Sequence, residues 1–418
     1  QQGRITQRDR IGADALCEAL IHQGVDVIFG YPGGVILPLY DVWADYPELR
    51  TILVRHEQGA AHAADGYARA SGRVGVCLGT SGPGATNLVT GIATAQLDSV
   101  PMVALTGNVP GALLGKDAFQ EIDISGITLP MTKHNYLVRN ADDIPRVIAE
   151  AFHIARTGRP GPVHVDFTKD ALTAETTAQN PTELNLPGFK PRFDGHPRQV
   201  KLAAKAIAAA ERPVILAGHG ILIAEATEEL EAFAHKAQIP VTWTLLGVGG
   251  IDETDPLAYG YMGMHGWKHV NKAIQSSDLL IALGMRFDDR VTGSVSTYAP
   301  HAQIIHVDID PSEIGKNVAV DIPIVGDVGN VLRSLIKAVP EVDPVTRKDY
   351  LDELAQWRSE SESISWHGSG GWKEGLLTAD YVMQRLGEMT QHDATVVADG
   401  GPHQKGLSGD NGFKRPPH

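Results

Sequence analysis

From residue 12 to about residue 172, short apolar runs alternate with longer stretches whose apolar positions recur at helical spacing. The runs at 25–29, 51–54, 74–78, 102–105 and 162–166 predict strands, with helices between them. Strand and helix in strict alternation predict an α/β fold, a doubly wound parallel sheet. A polar, proline-bearing stretch from 174 to 197 interrupts the pattern and predicts a linker.

The alternation restarts near Gln199. An Ala-rich helix is expected over 201–211, and strands over 213–217, 279–283 and 303–310, with the domain closing near Val339. Residues 340–376 are charged and rich in Ser and Gly, which predicts helix plus loop. A helix over 379–389 and a strand over 394–398 then open a third domain. The expected boundaries are 1–175, a linker 176–198, 199–340, a linker 341–375, and 376–418. About 40 residues do not close a domain, so the third is expected to be incomplete. No repeat of 20–50 residues is present.

Composition sharpens this picture only by exclusion. The chain has 418 residues, enough for two or three cores. Its 36 basic and 50 acidic residues give a net charge of −14. Such an excess argues against nucleic-acid binding and leaves any anionic substrate to a few local cations. The two cysteines, Cys17 and Cys77, lie in apolar stretches and are expected to be buried thiols. No apolar run reaches the ~18 residues of a membrane span, and the start lacks a signal segment. A soluble intracellular protein is expected: bacterial cytoplasm, or plastid or mitochondrion after removal of a transit peptide.

The chemistry concentrates at the junction after the run 51–54. Glu57 opens a helix of small residues, Gly59-Ala60-Ala61 and onward, where α/β folds place ligands. Gly79-Thr80-Ser81-Gly82-Pro83-Gly84-Ala85-Thr86-Asn87 also follows a strand and opens a helix, suiting backbone amides that face a ligand. It is not a P-loop, because no Gly-Lys-Ser/Thr follows. His56, His62, His134, His164 and His265 show no paired metal spacing. No GxSxG nucleophile motif is present.

These stretches occur with Phe29-Gly30-Tyr31-Pro32-Gly33-Gly34, Asp117-Ala118-Phe119-Gln120-Glu121, Thr132-Lys133-His134-Asn135-Tyr136 and Gly158-Arg159-Pro160-Gly161-Pro162. Met262-Gly263-Met264-His265-Gly266 and Arg286-Phe287-Asp288-Asp289-Arg290 complete the set. In this order they resemble the thiamine diphosphate (ThDP) enzymes that act on 2-oxo acids. Within them the chain resembles the catalytic subunits of acetohydroxyacid (acetolactate) synthase.

The resemblance implies that Glu57 hydrogen-bonds the ThDP pyrimidine and favours the tautomer that removes the reactive proton. It implies that Pro32, Gly34, Pro83 and Asn87 line the pyrimidine, and that Phe119, Gln120 and Lys133 line the substrate approach. The central domain would bind FAD through Arg192, Gly218, His219, Gly220, Thr244 and Leu245. Met264, His265, Gly284, Arg286, Asp308, Ile309, Asp327 and Val328 would complete that set. Arg290, oriented by Asp289, would hold the carboxylate of the second 2-oxo acid.

Gly111-Ala112 and Lys116 depart from the family pattern at the channel. His403 and Gln404 match the start of its diphosphate domain, whereas Pro402 and Lys405 do not. The Mg²⁺ ligands of that domain are not found in 376–418, and Gly409-Asp410-Asn411-Gly412 does not resemble them. The implied reaction joins a hydroxyethyl unit from pyruvate to a second pyruvate or to 2-oxobutyrate. A homodimer or tetramer is implied, and a small regulatory subunit is compatible. Two alternatives stay open: another ThDP-dependent decarboxylase, oxidase or carboligase, and a non-catalytic fragment that binds FAD or a partner chain.

Overall fold

The computed structural model describes residues 9–363, 379–391 and 394. The chain divides into two compact units, one running to Pro191 and one from Arg192.

The first unit is a six-stranded sheet: β1 (Val27–Gly30), β2 (Arg50–Leu53), β3 (Gly75–Gly79), β4 (Met102–Asn108), β5 (His134–Val138) and β6 (Pro162–Thr168). Its order is β2-β1-β3-β4-β6-β5, with every neighbouring pair parallel. The helices are α1 (Gly12–His22), α2 (Leu37–Trp43), α3 (Glu57–Ser71), α4 (Pro83–Thr86), α5 (Val89–Asp98), α6 (Ile124–Thr128), α7 (Ile144–Arg156) and α8 (Lys169–Thr173). Strands β3, β4 and β6 are buried along their whole length, as a parallel sheet covered on both faces requires. One face packs Val103, Leu105, Val163 and Val165 with residues of α1 and α7. The other packs Cys77, Met102 and Ala104 against the alanines of α3 and Ile92 and Ala95 of α5.

The small residues of α3 have a clear cause. A Cβ added to Gly91 on α5 would stand 2.3 Å from Ala61 Cβ, so the two helices meet almost at backbone distance. What the small side chains admit is therefore the chain's own second helix. Both cysteines are buried thiols, and burial pushes Cys77 up to about 12.

The second unit repeats the plan with β7 (Pro213–Ala217), β8 (Val241–Trp243), β9 (Ala258–Tyr261), β10 (Leu279–Leu283), β11 (Gln303–Asp308) and β12 (Ile322–Val325). The order is β12-β11-β10-β7-β8-β9, again parallel throughout. Its helices are α9 (Pro197–Ala209), α10 (His219–Ile223), α11 (Thr227–Ala237), α12 (Lys268–Gln275), α13 (Asp289–Thr292), α14 (Val328–Ala338), α15 (Lys348–Ser363) and α16 (Ala379–Thr390). Helix α15 joins this unit's core through buried Tyr350 and Leu354. Arg212 and Lys272 lie over its aromatic rings, with Lys272 Nζ 3.8 Å from the Trp357 centroid.

The predicted strands are present to within a few residues. Strands β5, β8, β9 and β12 were not anticipated: each has only three to five residues, and their sequences lack a long apolar run. Residues 395–398, which carry most of the strand expected over 394–398, lie outside the described residues, as do His403, Gln404 and Gly409-Asp410-Asn411-Gly412.

Candidate functional site

In the first sheet β1 leads outward to β2 on one side, while β3 begins the other side. The chain reverses direction between β1 and β3, and a crevice opens at their carboxyl ends. Pro32, Gly33 and Gly34 follow β1, and Thr80 to Pro83 follow β3. The two loops touch: a Cβ on Gly33 would lie 2.4 Å from the Thr80 side chain.

Glu57 enters this crevice as the first residue of α3. His56 caps the helix, its Nδ1 accepting from the Gln58 amide at 3.1 Å. The Glu57 side chain is buried, 7% exposed, and Oε2 accepts from Asn87 Nδ2 at 2.9 Å. A Cβ on Gly84 would stand 3.2 Å from Glu57 Oε1, so the carboxylate lies against the first turn of α4. The positive end of α3 and the Asn87 amide both face this buried carboxyl group. Beside it, the buried hydroxyls of Thr80 and Ser81 have no hydrogen-bond partner among the described residues. Buried polar atoms of this kind call for a partner from outside the chain.

Gln120 reaches the same place. Gly82 has φ +58°, and a Cβ there would lie 2.7 Å from the Gln120 carbonyl oxygen, so only glycine fits. Gln120 itself has φ +57°. Phe119, beside it, is 89% exposed. Pro32, Gly34, Pro83, Asn87, Glu57 and Gln120 thus gather at one crevice. Lys133 does not join them within this unit. Its amide donates to the carbonyl of Pro162, the first residue of β6, on the opposite edge of the sheet. Its Nζ donates to the Ile154 and Thr157 carbonyls at the end of α7, the latter at 2.8 Å.

The second sheet reverses between β7 and β10. Gly218, His219 and Gly220 follow β7; Thr244 and Leu245 follow β8; Met264 and His265 lie past β9. Gly284 and Arg286 follow β10, Asp308 ends β11 with Ile309 next, and Asp327 and Val328 follow β12. All stand at the carboxyl edge of one sheet. Arg192 precedes Phe193, whose carbonyl accepts from the Asp327 amide at 2.8 Å.

The glycines here have an internal cause. Gly284 has φ +61°, and a Cβ on it would lie 2.5 Å from Gly220 Cα. The loops after β7 and β10 are pressed together at the reversal point. Asp308 and Asp327 each hold a backbone amide, of Asp310 at 2.9 Å and Asn330 at 3.0 Å, and Asp327 thereby caps α14. Arg290 is brought to Met264: its carbonyl accepts from the Met264 amide at 2.7 Å, and Nη1 lies 3.6 Å from Sδ. Asp289 and Arg290 are 81% and 69% exposed and 3.8 Å apart, a loose surface pair in this conformation.

One family description matches the first unit through β4, and another matches the whole second sheet. The N-terminal TPP binding domain of thiamine pyrophosphate enzymes matches residues 10–127, and their central domain matches residues 200–335. The chain belongs to the thiamine pyrophosphate enzyme family. Within that family it is homologous to acetolactate synthase large subunits. It is 52% identical over 399 residues to an acetolactate synthase of Mycobacterium bovis, covering 94% of this chain and 63% of that protein. It is 48% identical over 419 residues to the large subunit of Corynebacterium glutamicum, covering 99% and 66%. A probable large subunit of Methanocaldococcus jannaschii is 55% identical over 346 residues, 82% of this chain and 58% of its own. The chain thus spans about three fifths to two thirds of the length of these relatives.

The thiamine pyrophosphate fold also contains polar residues that the motifs did not single out. Thr106, Asn108, His164 and Asp166 are buried on one face of β4 and β6 and bonded to one another. The signal was present: His164, Asp166 and Thr168 alternate along an otherwise apolar strand. Among the described residues no group of three His, Cys, Asp or Glu is arranged to hold a metal ion.

Proposed function

We propose that the chain performs acetohydroxyacid synthase chemistry: decarboxylation of pyruvate and ligation of the hydroxyethyl unit to a second pyruvate or 2-oxobutyrate. The observation that carries this reading is the buried Glu57 carboxylate, oriented by Asn87 at the reversal point of the first sheet. The large-subunit relatives support the same choice.

The crevice residues fit ThDP. When bound, that cofactor supplies a carbon able to take up the electron pair left by loss of CO₂. Glu57 would accept a hydrogen bond from a ring nitrogen, and Asn87 would keep the carboxylate aimed. Thr80 and Ser81 would supply the two unmatched hydroxyls, with Pro32, Gly34 and Pro83 forming the walls. Gln120 and Phe119 would meet the substrate. Lys133, across the sheet, would act at this site only through another chain.

FAD would lie along the carboxyl edge of the second sheet, from Gly218 to Val328, in a structural role. Arg290 and Asp289 would select the second 2-oxo acid once ordered by it. The Mg²⁺ ligands are expected in a C-terminal segment of the diphosphate domain and not among the described residues. The boundaries 1–175, 199–340 and 376–418 are retained as the proposed pyrimidine, FAD-type and diphosphate domains, joined by 176–198 and by 341–375, of which α15 packs on the FAD-type core. A homodimer or tetramer is supported by apolar side chains left outside the first core, among them Leu53 at 69% and Leu97 at 59% exposed. The "large subunit" names of relatives support a small regulatory partner.

The test is to incubate the chain with pyruvate, ThDP, Mg²⁺ and FAD and to quantify acetolactate. Glu57→Gln is expected to lower the rate by about 100-fold or more while leaving the fold unchanged. Acetaldehyde or peroxide in place of acetolactate would favour a related decarboxylase or oxidase. FAD binding with no product would favour a binding fragment.

A further inference from the structure

The segment 109–131 carries Phe119 and Gln120 and is rooted at both ends in a buried polar chain. At its start, Asn108 Nδ2 donates to Asp166 Oδ2 at 2.6 Å, and Asn108 Oδ1 accepts from the Val109 amide at 2.8 Å. At its end, Thr128 Oγ1 lies 3.1 Å from His164 Nδ1 and 2.9 Å from the Ile124 carbonyl. Between the roots, Thr106 Oγ1 lies 2.7 Å from His164 Nε2 and 2.6 Å from Asp166 Oδ1. Thr106, Thr128, His164 and Asp166 are at 0% exposure.

We propose that Asp166 is a positioning residue for the Gln120 segment, acting through a hydrogen-bond chain to Thr128 whose direction reverses when Asp166 takes up a proton. The role at Gln120 rests on the reading above; the chain itself does not.

The reversal follows from counting hydrogens, since each threonine hydroxyl donates one. With Asp166 ionised, Thr106 donates to it, His164 Nε2–H donates to Thr106, and Thr128 donates to Nδ1. The Ile124 carbonyl then receives nothing from the Thr128 hydroxyl. With one proton added from solvent, Asp166 donates to Thr106, Thr106 to Nε2, His164 Nδ1–H to Thr128, and Thr128 to Ile124. The histidine stays neutral and exchanges its tautomer.

Electrostatics agree with this order of events. Burial raises Asp166 to about 6 and lowers His164 to about 3, so the acid takes the proton first. Of the packed elements, α6 brings Asp123, whose charge raises Asp166 further. Helix α3 carries Glu57 and Asp65, and α5 carries Asp98, the last two both tied to Arg69. Strand β5 brings His134, edge-on to Tyr136, and β3 brings the Cys77 thiol. Helix α7 carries Arg146, Glu150, His153 and Arg156, and α8 carries Lys169 and Asp170.

The test uses the full chain labelled with ¹⁵N-histidine, with His164→Gln assigning the signal. Between pH 8 and pH 5 the His164 hydrogen is expected to move from Nε2 to Nδ1 without a second one appearing. Asp166→Asn, which mimics the protonated acid, is expected to show the Nδ1–H form at both values. Hydrogen exchange over 109–131 is expected to rise about 10-fold in Asp166→Leu and to return to the wild-type level in Asp166→Asn. One tautomer at both pH values, an imidazolium at pH 5, or unchanged exchange in a folded Asp166→Leu would overturn the proposal. If Asp166→Leu does not fold, the wild-type titration still decides. None of these readouts requires acetolactate, so failure here and failure of the synthase reading are distinct.

Discussion

The two sheets share one plan and use their interiors differently. In the first, a face of the neighbouring strands β4 and β6 carries Thr106, Asn108, His164 and Asp166, bonded side chain to side chain. In the second, the buried His269 and His306 each meet a backbone carbonyl, of Tyr259 at 3.2 Å and Met285 at 2.8 Å. The carboxyl edges differ in the same sense. Glu57 is a buried carboxyl group at the first edge, whereas the second is shaped by backbone contact between Gly220 and Gly284. Both units bury ionisable groups and both pack backbone closely; the difference lies at the reversal point, where the first holds the Glu57 carboxylate and the second the Gly220–Gly284 contact. Topology alone therefore predicts where a ligand lies, not what the protein can do to it.

The largest expected effect tests the backbone side of that comparison. Gly284→Val places a branched side chain at φ +61° and within 2.5 Å of Gly220 Cα. We expect a loss on the order of 4 kcal/mol or more, confined by hydrogen exchange to the second unit. Gly34→Ala, with nothing within 4 Å of the added methyl, is expected to change stability by no more than ~0.5 kcal/mol. Equal losses would erase the distinction.

A middle-sized effect concerns acid. His269 is lowered to about 4 and His306 is lowered by burial. Their folded forms refuse a proton that the unfolded chain accepts, so the second unit loses stability as pH falls below about 6.5. His164 acts in the same direction in the first unit. Asp166 opposes it, because its folded form takes up a proton near 6, before the unfolded one does. Asp166→Asn removes the opposing group. It should make the first unit more acid-sensitive between pH 7 and pH 4.5, by on the order of 2 kcal/mol. Exchange of β6 amides at the two pH values reads this directly, and an unchanged slope would contradict the opposition.

The smallest effect sharpens the contrast between the two edges of the first sheet. Lys133→Met removes a cation from the carbonyls that end α7. We expect about 1 kcal/mol of lost stability with no substrate present. A purely catalytic change, with the melting curve unmoved, would place Lys133 at the reaction after all.

Much of this is legible in the sequence. Glu57 stood out locally, at a strand end followed by small residues, whereas Pro32, Pro83 and Asn87 were named only through the family resemblance. Lys133 looked alike in its motif, yet its strand begins on the far edge, and nothing local reveals which way an edge strand runs. The alanines of α3 suggested room for a ligand, and α5 fills that room. Asp308 and Asp327 stood at strand ends as nucleotide acids do, and their oxygens are already engaged by local amides.

By itself the sequence determined the alternation of strand and helix, the two sheets, the buried thiols and the family. These depend on periodicity and on residues near one another along the chain. Tertiary structure alone decided the strand order, the crevice that gathers Glu57, Asn87 and Gln120, and the polar chain from Asn108 to Thr128. Thr106 and Asp166 are 60 residues apart and meet only because β4 and β6 pair in one register. A one-residue slip would turn Asp166 to the opposite face.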